Sequence, residues 1–156
     1  VLDIHWSEPI LEETTRNLIK QFNFTPEAAD ILVDRLSAYL PTALVEINKR
    51  EEARVAKVDM DPKDRHVLAA ALSADADVLL TQNVRHFPKD WMAKRGIRLV
   101  DAGTLLRHLA SAHPDSLRDA HRMGVNSRPQ TSEQVLAILA NITNPQVAAI
   151  VREVVS

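Results

Sequence analysis

At 156 residues, with 19 Lys and Arg against 21 Asp and Glu and a formal net charge of -2, the chain suits one domain with a real core, and any nucleic-acid partner must be met by a local basic patch. It has no cysteine, which excludes disulfides, thiolate nucleophiles and Cys-type zinc sites and suits a reducing cytosol. Its three glycines, Gly96, Gly103 and Gly124, exclude phosphate-cradling loops of the Rossmann or Walker kind; with neither a bilayer-length apolar run nor a signal-peptide pattern, a soluble cytoplasmic protein is expected.

In chain order, Ile4-His5-Trp6 reads as the tail of a strand. Ser7-Glu8-Pro9 then opens a helix, with Ser7 as N-cap and acids in the first turn. Ile10, Leu11, Thr14, Leu18 and Phe22 recur at helical spacing along it, and Glu12 and Glu13 lie on its flanks. Thr25-Pro26-Glu27 starts a second helix running to about Leu40, followed by a candidate short strand at Ala43-Leu44-Val45. From Glu46 to Lys57 the charge is dense, which favours a solvated connection over a core element.

A third helix begins at Asp61-Pro62 and is expected to bury Val67, Leu68, Ala71 and Leu72. Val78-Leu79-Leu80 is short, continuous and apolar, the pattern of a buried strand. Thr81-Gln82-Asn83 interrupts it, Pro88 starts another short helix, and Ile97 to Val100 is the next strand. Helices alternating with strands in this order argue for a parallel α/β sheet with right-handed crossovers. After Asp101 the pattern is wholly helical: Thr104 to Leu109, Pro114 to about Met123, a linker from Gly124 to Pro129, a helix opened by a Thr131/Gln134 capping box, and a last helix from Asn144-Pro145. The expected division is a domain over 1–111 and a helical extension over 112–156.

The chemistry concentrates between Asp59 and Pro88, where a helix start and a strand end meet one edge of such a sheet, the edge at which open α/β sheets bind ligands. Each residue there also has a plainer reading. Asp61 before Pro62 fits an ordinary N-cap with Asp64 supporting the helix dipole, Glu13 fits a solvated flank, and Asn83 fits a turn former. His66 and His86 read as a helix-surface and a loop residue, with no HExxH or comparable pair among the six histidines.

Three segments, Ser7 to Glu13, Asp61 to Ala71 and Leu79 to Pro88, together resemble the PIN domain, specifically the VapC-type toxin ribonucleases of bacterial toxin-antitoxin pairs. The likeness covers about residues 4 to 110 with the strand at Ile97 to Val100. It implies a PIN-like three-layer α/β fold, a short parallel sheet flanked by helices, plus the C-terminal helical extension. It also implies a Mg2+- or Mn2+-dependent endoribonuclease that cleaves RNA with a metal-activated water, since hard oxygen ligands suit magnesium and the bound ion offsets phosphate charge. Carried over residue by residue, Glu13, Asp64 and Asn83 take the catalytic positions, with Glu13, Asp64 and Asp61 as metal ligands. Thr81 and Arg85 become substrate-binding residues. The implied partners are RNA, a cognate antitoxin and a second copy in a homodimer.

One departure stands out. Relatives open with an apolar strand ending in the central aspartate ligand, whereas here Asp3 lies only three residues before Trp6. The expectation is a fragment, or a first strand supplied by another chain or segment. A non-catalytic PIN-fold module that docks an antitoxin or another chain, a second copy included, is the rival reading. An aspartate-phosphorylated receiver domain is a third, but it lacks the expected lysine after Val100, where Asp101 stands. Arg16, Lys20, Arg85, Lys89, Lys94 and Arg95 are candidates for a phosphate path, and Trp6 and Trp91 fit core anchors better than base-stacking platforms.

Overall fold

The computed structural model describes residues 2–127 and 129–156; Val1, and Arg128 within the expected linker, lie outside the described residues. Two compact units result. One comprises Leu2–Leu79 and Asn83–Leu99, the other Leu80–Gln82 and Val100–Ser156.

In the first unit, Ile4 to Trp6 and Ala43 to Val45 meet as a parallel bridge between Trp6 and Leu44. Trp6 N–H donates to Ala43 O at 2.9 Å and Val45 N–H to Trp6 O at 2.8 Å. α1 (Glu8–Phe22) follows at once. Ser7 holds the N-cap position with extended backbone, yet its hydroxyl makes no capping bond; the residue is 1% exposed and its Oγ has no hydrogen-bond partner. The helix ends where Asn23 enters the left-handed region at φ 55° and returns its N–H to Leu18 O, a role asparagine tolerates better than most residues. α2 (Pro26–Tyr39) is capped by Thr25, whose hydroxyl accepts from Ala28 N–H at 3.2 Å.

The charge-dense stretch corrects the expectation of a solvated connection. It folds into α3 (Lys49–Val55), capped by Asn48 Oδ1 accepting from Arg50 N–H at 2.8 Å. Lys49, Arg50 and Glu52 face water while Val55, 1% exposed, enters the core. Seven residues make two turns, too few for one buried valine to register as a periodicity. A 3-10 turn at Pro62–Asp64 leads into α4 (Arg65–Ser73), and Asn48 N–H donates to Ser73 Oγ at 2.9 Å, tying the start of α3 to the end of α4. The core here is Val55, Leu68, Ala69, Leu79, Phe87, Met92 and Ile97. The expected Leu68 is fully buried, while Val67, Ala71 and Leu72 pack at its margin.

β1 (Val78–Leu80) and β2 (Arg98–Val100) form a two-stranded sheet among the described residues, with Arg98 N–H donating to Asp77 O at 2.9 Å and Thr81 N–H to Val100 O at 3.0 Å. Between them lie a 3-10 turn at Val84–His86 and α5 (Lys89–Ala93). Gly96, at φ +76°, makes the turn into β2 that a side chain would strain. The α/β class expected from the sequence is therefore present.

The second unit holds α6 (Ala102–Ala112), α7 (Pro114–Asn126), α8 (Ser132–Ile142) and α9 (Pro145–Val155). Asp101 caps α6 by accepting from Thr104 N–H at 2.6 Å. The backbone and hydroxyl of Thr104 hold the Asp101 carboxyl below its ordinary pKa, partly opposed by burial and helped by Arg107. Gly103 permits a close approach, since a Cβ there would meet Val147 Cγ2 at 3.3 Å. Leu136, Val147 and Val151 form the core, with Leu106, Leu117, Leu139 and Val155 around it. The Thr131/Gln134 capping box forms with both of its bonds. The expected linker is shortened, because α7 runs on through Gly124 to Asn126; one glycine costs a helix only about 1 kcal/mol.

Candidate metal centre

Asp61 precedes Pro62, whose fixed φ suits the first helical position, and Asp61 Oδ1 accepts from Lys63 N–H at 3.0 Å. The capping role read from the sequence is real, and it occupies one carboxylate oxygen. Asp64 closes the same turn at the start of α4. Its side chain is 14% exposed, and its Oδ2 lies 2.8 Å from His86 Nδ1. His86 arrives from the far side of β1. The turn at Val84–His86 is closed by His86 N–H donating to Asn83 O at 2.9 Å, and the buried Phe87 anchors it in the core.

One ligand atom each from Asp61, Asp64 and His86 therefore lies within 4.8 Å of the others. Octahedral coordination at 2.0–2.1 Å places neighbouring ligand atoms about 3 Å apart; the hydrogen bond of 2.8 Å between Asp64 and His86 spans a similar distance, and Nδ1 gives up its proton when it ligates. Two carboxylates suit Mg2+ or Mn2+, and the imidazole favours the transition ion of the two. Asp61 and His86 are exposed, which leaves room for the waters that such ions keep. The residues present fit a divalent cation.

Glu13 is placed differently. Its Oε2 lies 3.2 Å from His66 Nε2, but that nitrogen is buried without a hydrogen-bond partner. The approach falls outside hydrogen-bond alignment. Glu13 is not part of the three-residue cluster. Arg85 is exposed beside His86, and Asn83 is exposed with its carbonyl engaged by His86. Thr81 belongs to the other compact unit. The residue that sequence reasoning set aside is His86. Its only signal was position, on the loop after a buried strand at the ligand-binding edge.

The cluster lies beside a strand end, the edge at which α/β folds bind ligands, and two carboxylates with an imidazole are donors a divalent cation accepts. A family model described as PIN domain matches residues 1–85, more than half of the chain, and the chain belongs to the PIN domain family. That family is one of nucleases in general, typically acting with divalent metals, so the function is of nuclease type. No curated protein and no solved structure matches the chain.

Proposed function

We propose that this chain is a Mg2+- or Mn2+-dependent endoribonuclease, the toxin of a VapC-type toxin-antitoxin pair. The observation that carries the reading is the convergence of Asp61, Asp64 and His86 in a chain of a nuclease family. Asp61 and Asp64 would hold the cation, with His86 completing or orienting the set. When bound, such an ion offsets phosphate charge and makes a water a competent nucleophile near neutral pH. Glu13 adds a flanking carboxylate beside His66. Asn83 offers an uncharged amide, and Arg85 a guanidinium for the strand being cut. Thr81 keeps its substrate-binding assignment by the resemblance alone. Single-stranded or looped RNA is the substrate class that goes with this reading, and a cognate antitoxin and a homodimer complete it.

The test is RNA cleavage by the protein with and without Mg2+ or Mn2+, beside Asp64→Asn. Metal-dependent cleavage lost in the variant supports the assignment; undiminished cleavage by the variant removes it.

A second reading, the fold as a docking module without chemistry, is favoured by a groove of about 620 Å3 between α1 and α2. Leu11 and Val33 contribute apolar surface, and Glu8, Glu12, Asp30 and Asp34 outnumber Arg16, so the occupant it suits is a cationic antitoxin segment. Tight binding of that antitoxin by a protein inert toward RNA in both metals would establish this reading over the first.

A further inference from the structure

The nuclease reading leaves open how a strand is held beyond the bond being cut, and the segment after His86 answers this. Between Arg85 and Arg98 the chain carries Arg85, Lys89, Lys94, Arg95 and Arg98 against one acid, Asp90. All five cations are exposed, and among the described residues none of them stands in an ion pair. Their backbone is fixed from beneath, because Phe87, Met92 and Ile97 are buried in the core. The Arg95 guanidinium lies 3.4 Å from the Trp91 ring centroid, and its Nη1 donates to Trp91 O at 3.0 Å. A guanidinium held this way loses less freedom on engaging a phosphate than a free one. The strip begins one residue before His86, a member of the metal cluster. The groove between α1 and α2, by contrast, is predominantly acidic and repels a phosphate chain.

From this polarity we infer that α5 and its flanks form a phosphate-binding strip for single-stranded RNA, running away from the metal cluster. The inference rests on the nuclease reading for the identity of the polymer, and its own evidence is the unpaired, rigidly mounted charge. Contacts of this kind position a strand without reading its sequence.

The experiment is equilibrium binding of a labelled, unstructured RNA oligonucleotide in EDTA, where no metal-dependent cleavage occurs, across a salt series. Lys89→Gln with Lys94→Gln leaves the Trp91–Arg95 stack untouched; a triple variant adds Arg95→Gln. Lys49→Gln with Lys57→Gln removes two exposed cations elsewhere. Each lost phosphate contact lowers the single-strand salt slope by about 0.7, so the double variant should lose roughly 1.4 in slope and about 25-fold in affinity at 0.1 M salt. The Lys49/Lys57 pair should lose neither. The strip is overturned if the double and triple variants bind as the wild type does, if the Lys49/Lys57 pair weakens binding equally, or if the wild type does not bind RNA in EDTA. Metal-dependent cleavage is scored separately on the same wild-type protein. Cleavage with unaltered binding by the variants thus rejects the strip and keeps the nuclease reading, whereas binding that follows the strip without cleavage does the reverse.

Discussion

Two carboxylates named from the sequence each end beside a histidine, and the two pairs are not alike. Asp64 and His86 share a hydrogen bond of 2.8 Å, with a second acid in the same cluster. Glu13 and His66 approach to 3.2 Å without hydrogen-bond alignment, and the Glu13 side chain is 39% exposed against 14% for Asp64. The difference lies in how the acids are mounted. Asp64 sits in a proline-started turn facing a second turn pinned by Phe87, whereas Glu13 stands on the flank of a long helix. Rigid mounting on both sides is what a carboxylate needs to serve a cation site.

The largest expected effect is at Asp64. Replacing it by Asn should cost more than about 100-fold in metal-dependent cleavage, because loss of a partner that merely orients a ligand already costs 10–100-fold. Rates measured over a Mn2+ series check this. Next is His86→Ala, for which a rise of about 10–100-fold in the Mn2+ midpoint is expected, read as metal-dependent protection against thermal unfolding. Glu13→Gln should move that midpoint by no more than about fivefold, the scale of an exposed charged pair. A loss as deep as that of Asp64→Asn would erase the distinction between the pairs and bring Glu13 into the cation's grasp.

The smallest effect lies outside both pairs. Asp101→Ala removes the α6 cap and should cost about 1 kcal/mol at neutral pH. Because the Asp101 carboxyl is depressed in the folded chain, its contribution is present above the ordinary aspartate range and fades as pH falls through the lowered value. Urea titrations of the wild type and variant should differ at neutral pH and converge in strong acid.

Caps and breakers carried most of what the sequence disclosed. Thr25-Pro26, Thr131 with Gln134, and Asn144-Pro145 each start a helix where expected, because a cap acts within a few residues and is legible locally. The Asp61 cap was legible for the same reason. The meeting of Asp64 with His86 was not, since 22 residues separate them and no local pattern encodes a distance across a strand. α3 was hidden for a different reason. Lys49, Arg50 and Glu52 face water, Glu51 and Arg54 are partly buried in an ion pair, and these five charges outnumber the single buried valine, so composition pointed outward while the packing pointed in.

The stacking of Arg95 on Trp91 has an optical consequence. Trp91 is one of two tryptophans in the chain, and a positive charge 3.4 Å above its ring makes its emission sensitive to whatever draws that charge away or neutralises it. The molecule thus carries a native fluorophore beside its candidate RNA strip. Arrival of a strand there can be followed in real time without a label, with Trp91→Phe separating that signal from the emission of Trp6.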